Sequence, residues 1–197
     1  MGFTRQQLQA ARGRSVPDLL GDGVRLLFVG INPGLWTAAA QAHFAHPANR
    51  FWKALYEAGL VDHPIDASAG LSPRDAQLLI ERGIGITNLV DRATARADEL
   101  DDDELRTGAL ALVEKVRRLG PRVVVILGLG AYRKGFARPK AKRGRQPERL
   151  GGAVLYVLGN PSGLNAHETV ESLAEAFADA ADAAGVPRAP HRGVDAG

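Results

Sequence analysis

Two segments of this chain set an asparagine between glycine and proline directly after an apolar run, and amides so placed can do chemistry at the edge of a sheet. The first is Gly30-Ile31-Asn32-Pro33-Gly34, behind Arg25-Leu26-Leu27-Phe28-Val29. The second is Gly159-Asn160-Pro161-Ser162-Gly163-Leu164-Asn165, behind Ala153 to Leu158. An asparagine amide donates and accepts at once, so it can hold a water or a polar substrate edge, but it cannot act as a general base. The glycines let backbone approach a ligand closely, and proline stiffens each turn and withholds a donor. Taken alone the two loops are ordinary turns, which use the same residues.

Other chemistries are excluded by composition. With no cysteine there is no disulfide, thiolate nucleophile or Cys-ligated metal. His43 and His46 lie three apart without a third ligand at a recognisable spacing, so they read as surface or site-wall histidines rather than metal ligands. No lysine stands in either loop, which argues against Schiff-base chemistry there. No apolar run approaches the about 20 residues that span a bilayer, and the N-terminus lacks the order of a signal peptide, so a cytoplasmic protein is the expectation.

Elements that would position the loops follow from periodicity. Apolar runs read as strands over Arg25 to Ile31, Ile84 to Val90, Arg122 to Leu127 and Ala153 to Leu158. Leu105, Ala109, Leu112, Val116 and Leu119 recur at helical spacing, with the six acids between Asp98 and Glu104 at the amino end; those acids read as a helix start. Further helices are expected over Ala48 to Ala58, over Pro73 to Arg82, and over Glu168 to Ala184 with Asn165 and Glu168 as a capping box. Strands alternating with helices give an α/β fold, a short parallel sheet of four strands with helices on both faces. The 197 residues form one domain with a core over about residues 16–185, and the first fifteen or so residues and the tail from Gly185 are expected to lack fixed structure.

This topology puts the loops after all four strands on one rim, where open α/β sheets bind ligands. The net charge of +3 is unevenly spread: eight basic residues and one acid lie between Arg133 and Arg149. The part from Arg138 to Arg149 reads as a mobile basic loop suited to a phosphate backbone.

Longer blocks carry a resemblance. Gly30 to Leu35 followed by His43-Phe44-Ala45-His46-Pro47-Ala48-Asn49-Arg50-Phe51-Trp52-Lys53, then Thr87 to Arg92, then Asn160 to Leu164, resemble the mismatch-specific uracil/thymine DNA glycosylases, in that family's order. The resemblance implies a three-layer α/β/α fold and hydrolysis of the bond between a base and deoxyribose. The partner implied is double-stranded DNA holding G·U or related mispairs, acted on by a monomer without a cofactor. An enzyme of this kind takes the base out of the stack, which a mispair makes easier.

By the same resemblance Asn32 holds the attacking water. Asp91, at the rim end of the second strand, is the nearest carboxylate in the sequence and either assists as a base, stabilises the sugar cation, or pairs with Arg92 or another rim cation. Phe44 stacks on the everted base, Ile31, Gly34, Leu35 and Thr37 line its pocket, and Asn160 faces the flipped nucleotide. Leu164 is the wedge that fills the vacated space. Ser162, Gly163 and Asn165 contact DNA, and Lys140, Lys142, Arg143 and Arg145 are added from the basic segment.

Three positions depart from the family pattern: Asn88 stands for a basic residue, Ala166 for an arginine that contacts the widowed guanine, and Trp36 for a small polar residue. Asn165 and His167 are the residues left to meet that guanine. Thymine and damaged pyrimidines stay open as further substrates. Two rival readings remain: a DNA-binding protein of the same fold that does not cleave, and, ranked last, a nucleotide-sugar or dinucleotide enzyme, which lacks the Gly-x-Gly-x-x-Gly spacing.

Overall fold

The computed structural model describes residues 2–189. Five strands, β1 (Leu26–Gly30), β2 (Ile84–Asn88), β3 (Val123–Leu127), β4 (Gly144–Leu150) and β5 (Ala153–Leu158), form one sheet in the order β2-β1-β3-β5-β4. All neighbours run parallel except β4, which is antiparallel to β5. The helices are α1 (Arg5–Ala10), α2 (Leu35–Ala40), α3 (Phe51–Glu57), α4 (Pro73–Glu81), α5 (Asp102–Leu119), α6 (Leu129–Gly135) and α7 (Val170–Ala184).

Alternate residues of the central strands feed two cores. Leu26, Phe28, Val123 and Val125 pack with residues of α3 and α7 on one face, whereas Leu27, Val29, Val124 and Ile126 pack with α5 and α6 on the other. Burial on both faces is why these strands read as unbroken apolar runs. The α/β/α layering expected of the chain is therefore present. Among the described residues no helix is long and apolar enough to cross a membrane.

The sheet has five strands rather than four, because the supposed mobile loop at Arg138 to Arg149 contains β4. As an edge strand it has one face and one side to satisfy, so its sequence is polar. Pro147 is tolerated where the register with β5 shifts between Arg145 and Arg149. The first fifteen residues also have structure: Thr4 and Gln7 make a reciprocal cap on α1, and Phe3 packs edge-on to Trp36 at 5.2 Å. Of the expected loose tail, Val186 is buried and Ala189 N–H donates to Gly59 O at 2.8 Å. Residues 190–197 lie outside the described residues.

Two helix starts differ from expectation. α7 begins at Val170 with Thr169 and Ser172 as its capping box, because Glu168 turns into the interior instead of capping. α3 begins at Phe51, since residues 46–49 close a turn through Asn49 N–H to His46 O at 2.7 Å and Phe51 N–H to Asn49 Oδ1 at 2.9 Å. The acidic run does start a helix: Asp101 and Glu104 form the capping box of α5.

The rim turn after β2 is set by how closely α5 approaches it. A Cβ built on Gly108, in the middle of α5, would lie 2.2 Å from Leu89 O. Alanine normally stabilises a helix interior relative to glycine, but here overpacking should reverse the sign, and Gly108→Ala is expected to cost about 1–3 kcal/mol. Urea denaturation of the two proteins checks this; a more stable variant would show that the helix can move away.

Candidate active site

The carboxyl ends of β1 and β2 continue as one zipped rim. Leu89 N–H donates to Gly30 O at 2.8 Å, Val90 N–H to Ile31 O at 2.9 Å and Thr94 N–H to Pro33 O at 3.1 Å. Within it the Asn32 amide is pinned through its nitrogen, which donates to Arg92 O and Thr94 Oγ1, both at 2.8 Å, and more weakly to Pro33 O at 3.3 Å. Thr94 Oγ1 spends its own proton on Arg96 O. Carbonyls only accept, so the side of the amide facing them must be NH2. Asn32 Oδ1 then points the other way, with no donor among the described residues, as an acceptor for water.

Phe44 sits at φ 54°, a left-handed conformation that costs a bulky residue about 1–3 kcal/mol unless its surroundings enforce it. They do enforce it. Ala45 N–H donates to Thr37 Oγ1, Trp52 Nε1 to His43 O, and the Phe44 ring stacks on Phe51 with centroids 4.1 Å apart. Thr37 is thus buried behind the platform rather than lining the pocket. Trp36 is likewise engaged elsewhere, its indole N–H donating to Ser68 O at 2.9 Å. Gly34 is exposed at the start of α2 and Leu35 half-buried beside it, while Ile31 packs against Gly128.

Asn88, noted in the sequence only as a departure, closes the floor. It is 7% exposed, and its Nδ2 lies 3.5 Å from His43 Nδ1, whose other ring nitrogen lies 2.9 Å from Pro17 O. The carbonyl requires a proton on His43 Nε2. Burial lowers the His43 pKa, so the ring is neutral and Nδ1 accepts from Asn88. Asn88 Oδ1 therefore faces Gly30, where a Cβ would sit 2.5 Å from it and 3.2 Å from the Phe44 ring. Only glycine keeps that corner open.

Asp91 is exposed and makes no ion pair or hydrogen bond among the described residues. Arg92, its expected partner, instead binds Glu104 through Nε at 2.7 Å and Nη2 at 2.9 Å. That pairing holds Glu104 below the ordinary carboxylate range.

The second loop is tied down internally. Ser162 N–H donates to Asn160 Oδ1 at 3.0 Å, and Asn165 Nδ2 donates to Asn160 O at 2.9 Å. Asn165 Oδ1 accepts from His167 N–H, so both ends of that side chain make one bond within the loop. Leu164 is 93% exposed, the most exposed large apolar residue described. At the loop's base Glu168, 2% exposed, accepts from Gly159 N–H, Ser172 Oγ and Arg143 Nε, each at 2.8 Å. Burial alone would raise its pKa, but Arg143 and the other donors prevail and hold it low.

Arg143 is thereby committed to Glu168, and its Nη2 to Ser172 O. Lys140, Lys142 and Arg145 remain exposed at the rim end of β4, since Gly144 pairs with Val157 and Arg145 with Tyr156. No cluster of three metal-ligating side chains occurs among the described residues. A cavity of about 600 Å³ opens at the rim, lined among others by Ile31, Leu129, Asn160, Asn165 and His167, and one of about 660 Å³ lies between α3 and α7 away from it, so volume by itself does not choose between them. Convergent polar groups do. Of the residues that fasten the second loop, Glu168 stands in the sequence only as a capping residue, and Arg50 carries no signal of this role because its partners lie more than 100 residues along the chain.

Residues 17–181 match the model of the uracil DNA glycosylase superfamily. The fold is similar to the solution NMR structure of a Methanosarcina acetivorans protein described as a candidate uracil DNA glycosylase. The TM-score is 0.57 at 18% identity, over 85% of this chain and 97% of that one. At that identity the likeness bears on the fold alone. The family match, however, takes in every strand and both asparagine loops, and on it the chain belongs to the uracil DNA glycosylase superfamily.

Proposed function

We propose that this protein is a monofunctional DNA glycosylase that everts uracil from mispaired duplex DNA and hydrolyses its N-glycosidic bond, leaving an abasic site. The observation that carries the reading is the pinned amide of Asn32, whose Oδ1 is left as an acceptor on the rim that also holds Phe44 and Asn88. The everted base lies on the Phe44 ring, and Asn88 Oδ1 accepts from uracil N3–H. Asn32 holds a water against the anomeric carbon. As the bond to N1 breaks, its electron pair leaves with the base and positive charge grows on the sugar. The water oxygen bonds to that carbon, and its proton passes to solvent or to the unpaired Asp91. Leu164 fills the gap left in the stack.

The protein is proposed to act as a monomer in the cytoplasm on G·U and related mispairs. Incubation with a duplex holding one G·U pair, followed by heating in alkali, should yield a nick at the uracil. An intact strand would overturn the reading, and binding without a nick would turn it into that of a silent mismatch binder.

Phosphate binding is assigned to Lys140, Lys142 and Arg145. Neutralising all three should weaken binding to every sequence alike and flatten the plot of log K against log salt by about 0.9 for each phosphate no longer neutralised. Filter binding between low and moderate salt checks this, and an unchanged slope removes the segment from the interface. Arg143 is excluded from the set because it serves Glu168.

A further inference from the structure

We infer that Arg50 is a positioning residue that holds the Leu164 loop in the shape required to enter a duplex and joins that loop to the mount of the Phe44 ring. The inference rests on the glycosylase reading above and adds to it a residue outside both asparagine loops.

The Arg50 guanidinium sits among the loop's carbonyls. Its Nη1 donates to Ser162 O at 2.7 Å and Asn165 O at 2.9 Å, and its Nη2 reaches Gly163 O at 3.4 Å. Its backbone N–H donates to Pro161 O at 2.9 Å. These four acceptors bracket Leu164 on both sides. They belong to neither helix nor strand. Ser162 O also accepts from Asn165 N–H at 3.0 Å and Pro161 O is held by the backbone of Arg50, but among the described residues Gly163 O and Asn165 O meet only the guanidinium and without it would turn to water. Leu164 cannot hold its own loop, being almost wholly exposed. A loop left loose would have to be ordered at the moment of insertion, at a cost taken from the binding energy.

The other side of Arg50 matters equally. The next residue is Phe51, whose ring lies under Phe44. Wedge and stacking platform are therefore mounted on consecutive residues at the start of α3, and insertion of one carries the other into register. A cation on a DNA-facing rim would ordinarily meet phosphate. Here a planar fork spans acceptors that a lysine ammonium could not reach together.

The test is a double-mutant cycle read by single-turnover excision from a G·U duplex. Arg50→Ala and Leu164→Ala should each slow excision about tenfold, and the double variant should be within about twofold of Leu164→Ala, since without the wedge its support has nothing to hold. Independent effects, giving a double variant slowed by the product of the two, would overturn the proposal, because a merely structural arginine acts regardless of Leu164. If Arg50→Ala does not fold, the cycle is run with Arg50→Lys, with the same pattern expected. If the wild-type protein cleaves nothing, the glycosylase reading falls by itself. Fluorescence of 2-aminopurine beside the uracil then reads unstacking in the same four proteins, and equal signals in all of them overturn the coupling.

Discussion

An Asn32→Ala protein should excise uracil from a G·U duplex at least about 100-fold more slowly than wild type, because a water no longer held against the sugar loses most of its effective concentration. Stability should fall too, by about 1–2 kcal/mol, as Arg92 O and Thr94 Oγ1 lose their shared donor. Asn32→Asp is the sharper variant. A carboxylate is the better base, yet the oxygen that replaces Nδ2 would have to face Arg92 O and Pro33 O, where only a donor fits. It should therefore be no faster than Asn32→Ala and less stable. A faster Asp variant, measured by single-turnover excision alongside melting, would show that the position works by proton transfer and not by holding water. Asp91→Ala should lose less, about tenfold, since an exposed carboxylate acts through screened charge.

The second large effect is expected at Asn88. Asn88→Ala should cost about 100-fold in kcat/KM on uracil and erase the preference for uracil over cytosine. The reason is that a site built to bond one edge of a base discriminates through the group left unpaired in the wrong one. The acceptor points at Gly30, beside the Phe44 ring, because neutral His43 occupies the other end of the amide, with its proton committed to Pro17 O. Excision from matched oligonucleotides holding uracil or cytosine at one position gives the ratio. A uracil preference that survives in Asn88→Ala would move base reading to another group.

Together these effects describe an enzyme whose reacting groups are amides held rigid, not acids tuned in pKa. The Asn32 and Asn88 side chains each have their nitrogen end engaged by the protein, and in the proposed reading the oxygen end meets water or base. Such a site trades proton transfer for geometry, and its rate should then depend on how firmly the loops are held. Arg50, Thr37 and the Glu168–Arg143 pair all act at that level.

The sequence by itself determined the four parallel strands, since runs such as Val123–Leu127 are apolar at every position only when both faces are covered. It determined their order of use as well, because glycine, asparagine and proline after β1 and β5 must fall on one rim. The start of α5 was equally legible in Asp101 and Glu104, whose cap closes within four residues. The same signal at Thr4 and Gln7 has no apolar stripe behind it, so along the sequence it does not by itself mark a helix.

Other features depended on partners far away in the chain. β4 carries no apolar period because an edge strand draws its stability from the ladder to β5. The amide of Asn32 is oriented by Arg92 O, 60 residues on, and the wedge loop is held by Arg50, 112 residues before Ser162. Periodicity and capping are local and can be read along a sequence. Which donor meets which acceptor across the fold is decided only when tertiary packing brings them within about 3 Å, and in this protein those choices orient both amides and support the wedge.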